Sequence, residues 1–146
     1  MSEQHNEYID GLRSKIQNWL KTTVGKTSKW GKYIQYTPDL FQLLIKLSGE
    51  NDITAQSKAK LAVAIAYFVS PLDFIPEEFW GALGYVDDIA LTAYVLNDIL
   101  QSNDPQIILK HWQISGDLTD LISDILNDAE EMVGKKWWVK LKELVR

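Results

Sequence analysis

Five carboxylates, Asp73, Glu77, Glu78, Asp87 and Asp88, gather in the middle of the most apolar stretch of this 146-residue chain. Acids clustered without a nearby histidine or cysteine offer only oxygen ligands, which suit hard ions such as Mg2+, Mn2+ or Ca2+. Asp73, Glu77, Asp87 and Asp88 can converge if the chain folds back between residues 73 and 88. An ion held there by Asp73, Asp87 and Asp88 would polarise a phosphoester, with Glu77 as the base that activates water. Without a cation, or a lysine such as Lys58 or Lys60, the cluster would raise its own pKa values and cost stability. The spacing does not match a calcium-binding loop, and residues 70–88 contain no base to hold a phosphate. The chain has no cysteine, which excludes disulfides, thiolate metal sites and cysteine nucleophiles. His5 belongs to a polar terminus and His111 adjoins Trp112, where a packed or surface role is expected.

Each acid also has a structural explanation. Ser70-Pro71-Leu72-Asp73 has the form of a capping box, with Ser70 at the N-cap and Pro71 at the first helical position. Pro76 cannot continue that turn, because it lacks an amide and clashes with the carbonyl four residues back. Glu77 and Glu78 then occupy the first turn of a new helix, where the dipole favours negative charge. Gly81 and Gly84 allow the reversal, and Asp87 is placed to cap a helix beginning at Asp88.

The order Ser70-Pro-Leu-Asp-Phe-Ile-Pro-Glu, then Gly84-Tyr-Val-Asp-Asp, resembles the signature of the YkvA-like family, domain of unknown function 1232, over about residues 58–100. The resemblance implies a small helical protein of a mostly bacterial type; the domain also occurs in a membrane-anchored ubiquitin ligase of eukaryotes. It implies that Asp73, Glu77, Asp87 and Asp88 are the family's acidic positions, and it brings no established activity. Glu77-Glu78 stands where aspartate and an apolar residue are usual, which keeps the charge and lengthens the reach.

The elements that must position these acids read as helices throughout. Tyr8, Ile9, Leu12, Ile16, Trp19 and Leu20 share one face of a helix over residues 7–23, with Gly25 as its stop. Gly25-Lys26-Thr27 echoes a phosphate-binding loop, but the first glycine that motif needs falls at Leu20. Thr37 and Pro38 read as an N-cap and first helical position, and Gly49 as the stop of that helix. From residue 61 to 69 the only polar group is the Tyr67 hydroxyl, so this segment is expected to be surrounded on all sides as the central helix. A second apolar helix carries Ile89, Ala90, Ala93, Tyr94, Leu96 and Leu100. Asp104-Pro105 restarts the chain. Residues 117–133 then set an apolar stripe against Asp117, Asp120, Asp124, Asp128, Glu130 and Glu131. With 46% hydrophobic residues and no strand pattern, the expectation is one all-α domain over residues 1–146, a compact bundle of about six to eight helices around a central buried hairpin of residues 54–101.

Charge is segregated. Residues 11–36 carry +6, residues 37–134 carry −12 and the last twelve carry +4, within a net charge of −5. Basic ends can pair with the acidic middle, or meet an anionic surface. Trp30, Tyr33 and Tyr36, interleaved with Lys26, Lys29 and Lys32, are expected to cover a core edge; with an acidic remainder, nucleic acid is a poor partner. The last helix sets Trp137 and Trp138 among Lys135, Lys136 and Lys140, which suits docking on the core or contact with a protein partner or anionic membrane. The uncharged run over residues 61–72 is twelve residues, short of the about 20 a spanning helix needs. The amino terminus lacks the apolar core of a secretory signal, so a cytoplasmic protein is expected, with a peripheral place at the inner face of the membrane as a further option. The combined reading is a non-catalytic helical module that binds a partner or membrane surface, with a divalent-metal-dependent phosphoester hydrolase as the alternative.

Overall fold

A computed structural model describes residues 2–69, 85–114 and 116–145, without the side chains of residues 2–6 and 24. The described residues form nine helices and no strand: α1 (Ser2–Leu20), α2 (Thr23–Thr27), α3 (Gly31–Ile34), α4 (Thr37–Ser48), α5 (Ala55–Val69), α6 (Val86–Ser102), α7 (Pro105–Leu109), α8 (Leu118–Val133) and α9 (Lys135–Glu143). The all-α expectation holds. The count exceeds eight because two short helices, α2 and α3, occupy a segment whose glycines and lysines give no apolar period.

The central helix is α6, not α5. Ten of its seventeen residues are buried, and it touches α3, α4, α5, α7, α8 and α9. Residues 61–69 were expected to be enclosed, yet α5 buries Leu61, Ala64 and Phe68 while Ala62, Ala66 and Val69 face outward. Alanine has too little side chain to demand burial, so this helix is amphipathic by size rather than by polarity. One cluster of buried side chains runs from Ile9 to Val145.

Local signals explain most of the boundaries. Asp117 accepts from the amides of Thr119 (2.8 Å) and Asp120 (3.3 Å) and so starts α8. Asp104 accepts from Gln106 N at 3.0 Å, with Pro105 opening α7. Thr54 accepts from Ser57 N at 3.1 Å ahead of α5. At α4 the N-cap is Tyr36, one residue earlier than expected, and the Thr37 hydroxyl instead donates to the Ile34 carbonyl at 2.6 Å. Gly25 is not a helix stop: α1 ends at Leu20, and Gly25 lies inside α2. A β-carbon there would meet the Trp19 carbonyl oxygen at 2.0 Å, so the glycine permits a close backbone approach. Gly134, at φ +89°, makes the corner between α8 and α9.

The segregated charges meet each other. Arg13 pairs with Asp39 at 2.9 Å, Lys29 pairs with Glu131, and the Tyr33 hydroxyl donates to Asp128. The basic segment around Tyr33 therefore lies against the acidic side of α8, and Tyr33 itself is buried. His111 Nε2 lies 2.8 Å from Glu50 Oε2; that contact, with Lys110 beside it, holds the Glu50 carboxyl below its usual range.

Candidate functional site

Asp87 and Asp88 lie in the first turn of α6, where the helix dipole favours carboxylates. Their environments separate them. The N-cap is Tyr85 and no side chain caps the helix, so Asp87 does not have the capping role expected of it. Its Oδ2 accepts instead from Trp137 Nε1 at 2.9 Å, across fifty positions of sequence. Burial raises the Asp87 carboxyl above the usual range, and the bond from Trp137 opposes that rise.

Asp88 faces inward and is 2% exposed. Neither of its oxygens has a hydrogen-bond partner among the described residues. Burial, and secondarily the charge of Asp87, push it up to about 9, so desolvation outweighs the helix dipole and, without a cation beside it, the acid favours its protonated form at neutral pH. An aromatic chain closes this end of the bundle: Tyr8 to Phe41 at 5.1 Å between ring centroids, Phe41 to Phe68 at 4.9 Å and Phe68 to Tyr85 at 6.1 Å. It joins α1, α4, α5 and the start of α6. Burial, then neighbouring groups that include Asp88, push the hydroxyls of Tyr8 and Tyr67 up to about 12. Lys15 Nζ lies 5.7 Å from the centre of the Tyr85 ring.

Of the four acids expected to converge on a metal, Asp87 and Asp88 are adjacent in this turn, while Asp73 and Glu77 lie outside the described residues. So do Ser70, Pro71, Pro76 and Gly84 of the motif. Among the described residues no three acidic or histidine side chains come together. The two lysines considered as neutralising partners are committed elsewhere: Lys58 donates to the Ser48 carbonyl at 3.0 Å and Lys60 pairs with Asp98 at 2.8 Å.

The second candidate region is α9. Trp138 is buried and meets Tyr94 edge-on, with ring centroids 5.8 Å apart. Leu141 and Val145 are buried beside it. Trp138 therefore belongs to the docked face and leaves the set assigned to a partner or membrane. The other face carries Lys135, Lys136 and Lys140, all exposed, together with Trp137 at 41%, Val139 at 46% and Leu144 at 52% exposure. Between α5 and the end of α9 runs an open groove of about 400 Å3, lined by Ala59, Lys60, Val63, Leu144 and Val145. No described helix is long and apolar enough to cross a membrane.

The i, i+4 spacing of Asp88 and Thr92 is legible in the sequence. The Asp87–Trp137 bond is not, because it joins segments fifty positions apart with no shared local period. The only available hint was that two adjacent tryptophans in a helix cannot both face the same way.

Comparison with known proteins agrees with the motif. Residues 57–94 match the family described as "Protein of unknown function (DUF1232)". A protein of Methanothermobacter thermautotrophicus, named "Uncharacterized protein ORF9", is 29% identical over 111 residues, which cover 76% of each chain. No solved structure matches.

Proposed function

With residues 57–94 belonging to the DUF1232 family, whose description assigns no activity, we propose that the protein is a non-catalytic helical module that binds an anionic membrane surface through the outward face of α9. The observation that carries this reading is the double character of that helix. Trp138 and Leu141 already dock it, yet Trp137, Val139 and Leu144 remain exposed among Lys135, Lys136 and Lys140. Lysines beside exposed apolar and indole groups fit the boundary between headgroups and acyl chains. The acidic middle of the chain supports the same orientation, because an anionic surface repels it and attracts the basic carboxyl-terminal end.

Each lysine near an anionic leaflet contributes about 1 kcal/mol, so three give weak, salt-sensitive and reversible attachment. Flotation with phosphatidylserine-containing vesicles tests the reading. The protein should rise with them at low salt, leave them at moderate salt, and ignore neutral phosphatidylcholine vesicles. Recovery in the soluble fraction on both vesicle types would count against it. A metal-dependent phosphoester hydrolase draws on Asp87 and Asp88, but it needs acids that reach a substrate, and Asp88 is enclosed.

A further inference from the structure

Four buried oxygen atoms at the aromatic end of the bundle have no hydrogen-bond partner among the described residues: Tyr8 Oη, Asp88 Oδ1 and Oδ2, and Thr92 Oγ1. They come from two elements. Thr92 stands one turn beyond Asp88 on α6, so both side chains lie on one face, and both residues are at most 2% exposed. Tyr8 arrives on α1, linked to the start of α6 through the rings of Phe41, Phe68 and Tyr85, and Lys15 of the same helix stands over the Tyr85 ring.

The ordinary local bonds are not made. A threonine inside a helix commonly gives its hydroxyl to the carbonyl four residues back, which here is that of Asp88 itself. Thr92 does not. Either hydroxyl is a donor that a carboxylate oxygen would accept, and neither is so used. Groups buried this deeply are nearly always satisfied, and an orphan among them points to an ordered water or ion. All four are oxygens, the donor type that hard cations prefer.

We propose that Asp88, with the hydroxyls of Thr92 and Tyr8, is an interior site for one small hard divalent cation, Mg2+ or Mn2+, which keeps water in its remaining positions. Mg2+ and Mn2+ accept one or two carboxylates plus several waters, whereas Ca2+ requires six to eight oxygens. Asp87, next in the chain, adds a second negative charge close by while its Oδ2 accepts from Trp137. The ion would offset the desolvation of Asp88, to which no described side chain gives a hydrogen bond.

The test is Mn2+ titration of chelator-treated protein, followed by electron paramagnetic resonance, with thermal melts in parallel. The expected result is uptake of one Mn2+ per chain and a midpoint raised by several degrees at roughly a hundredfold excess over the dissociation constant. Asp88→Asn should abolish both effects; Thr92→Val and Tyr8→Phe, each deleting one oxygen, should weaken uptake severalfold. Circular dichroism checks that each variant is folded. The site is overturned if no stoichiometric uptake occurs, or if Asp88→Asn leaves uptake unchanged, which would move the ion to exposed acids such as Asp120 and Asp124. Should Asp88→Asn fail to fold, unchanged affinity in both hydroxyl variants overturns it equally. Vesicle flotation is run in chelator, so the outcome here is separate from that of the surface reading.

Discussion

Trp137 Nε1 donates to Asp87 Oδ2 at 2.9 Å, tying the outward tryptophan of the last helix to the first of two adjacent acids in the family segment. The bond fixes the start of α9 against the start of α6. A hydrogen bond to a charged acceptor is worth about 1.5–3 kcal/mol when shielded; Trp137 is 41% exposed, so solvent reduces that to about 1 kcal/mol. Trp137→Phe and Asp87→Asn should each destabilise by about that amount. In a double-mutant cycle by chemical unfolding, the pair should lose less than the sum of the two. Strict additivity would show that the contact contributes nothing.

Stability should respond to pH through Asp88. With no cation beside it, burial pushes its carboxyl up to about 9 from the ordinary 3.8. Between those values the folded state holds a proton that the unfolded state has released, so stability falls as pH rises, by at most about 1.4 kcal/mol per pH unit. The contribution is complete below about pH 4 and gone above about pH 9. Asp88→Asn carries no charge in either state. Unfolding of both proteins between about pH 5 and about pH 8 should show the variant gaining on the wild type as pH rises; a constant offset would contradict the account.

Three glycines separate backbone effects. Gly25→Ala drives a β-carbon against the Trp19 carbonyl at 2.0 Å and should cost about 2–3 kcal/mol, as overpacking does. Gly134→Ala meets no atom but is held at φ +89° and ψ 140°, a conformation almost confined to glycine, and should cost about 1–3 kcal/mol. Gly11→Ala, in the open interior of α1 with nothing within 4 Å, should stabilise by about 0.5–1 kcal/mol. Thermal midpoints of the three variants check the order.

The exchange of roles between α5 and α6 is testable in the core. Leu96 is fully buried on α6, and Leu96→Ala should cost about 2–5 kcal/mol. Ala66 is on the exposed side of α5, and Ala66→Ser should stay within about 0.5 kcal/mol. A large loss at Ala66 would restore α5 as the enclosed helix.

Much of this fold was legible because its signals are local. Asp117, Asp104-Pro105 and Thr54 mark helix starts that need no knowledge of the rest of the chain. The stripe from Leu118 to Ala129 buries the residues its period selects. Errors arose where side-chain size or distance decides. Ala62 and Ala66 count as apolar but leave a face exposed. Gly25 looks like punctuation until Trp19 is brought against it. At the site, the motif drew attention to Asp87 and Asp88 through residue type. That Asp87 bonds Trp137 while Asp88 is enclosed depends on tertiary contacts, to which neither spacing nor composition is sensitive.

The central claim is that the outward face of α9 meets an anionic surface, and the chain contains its own control. Two basic segments are available. Near Tyr33, Lys29 pairs with Glu131 on α8 and Lys32 Nζ lies 5.0 Å from the centre of the Tyr33 ring, whereas Lys135, Lys136 and Lys140 share their helix with the exposed Trp137, Val139 and Leu144. The deciding measurement is flotation on phosphatidylserine vesicles of the wild type, a Lys135→Glu/Lys136→Glu/Lys140→Glu variant and a Lys21→Glu/Lys26→Glu/Lys32→Glu variant. The account predicts that the wild type and the second variant float at low salt while the first stays in solution. Equal recovery of all three, or loss only in the second, would contradict it.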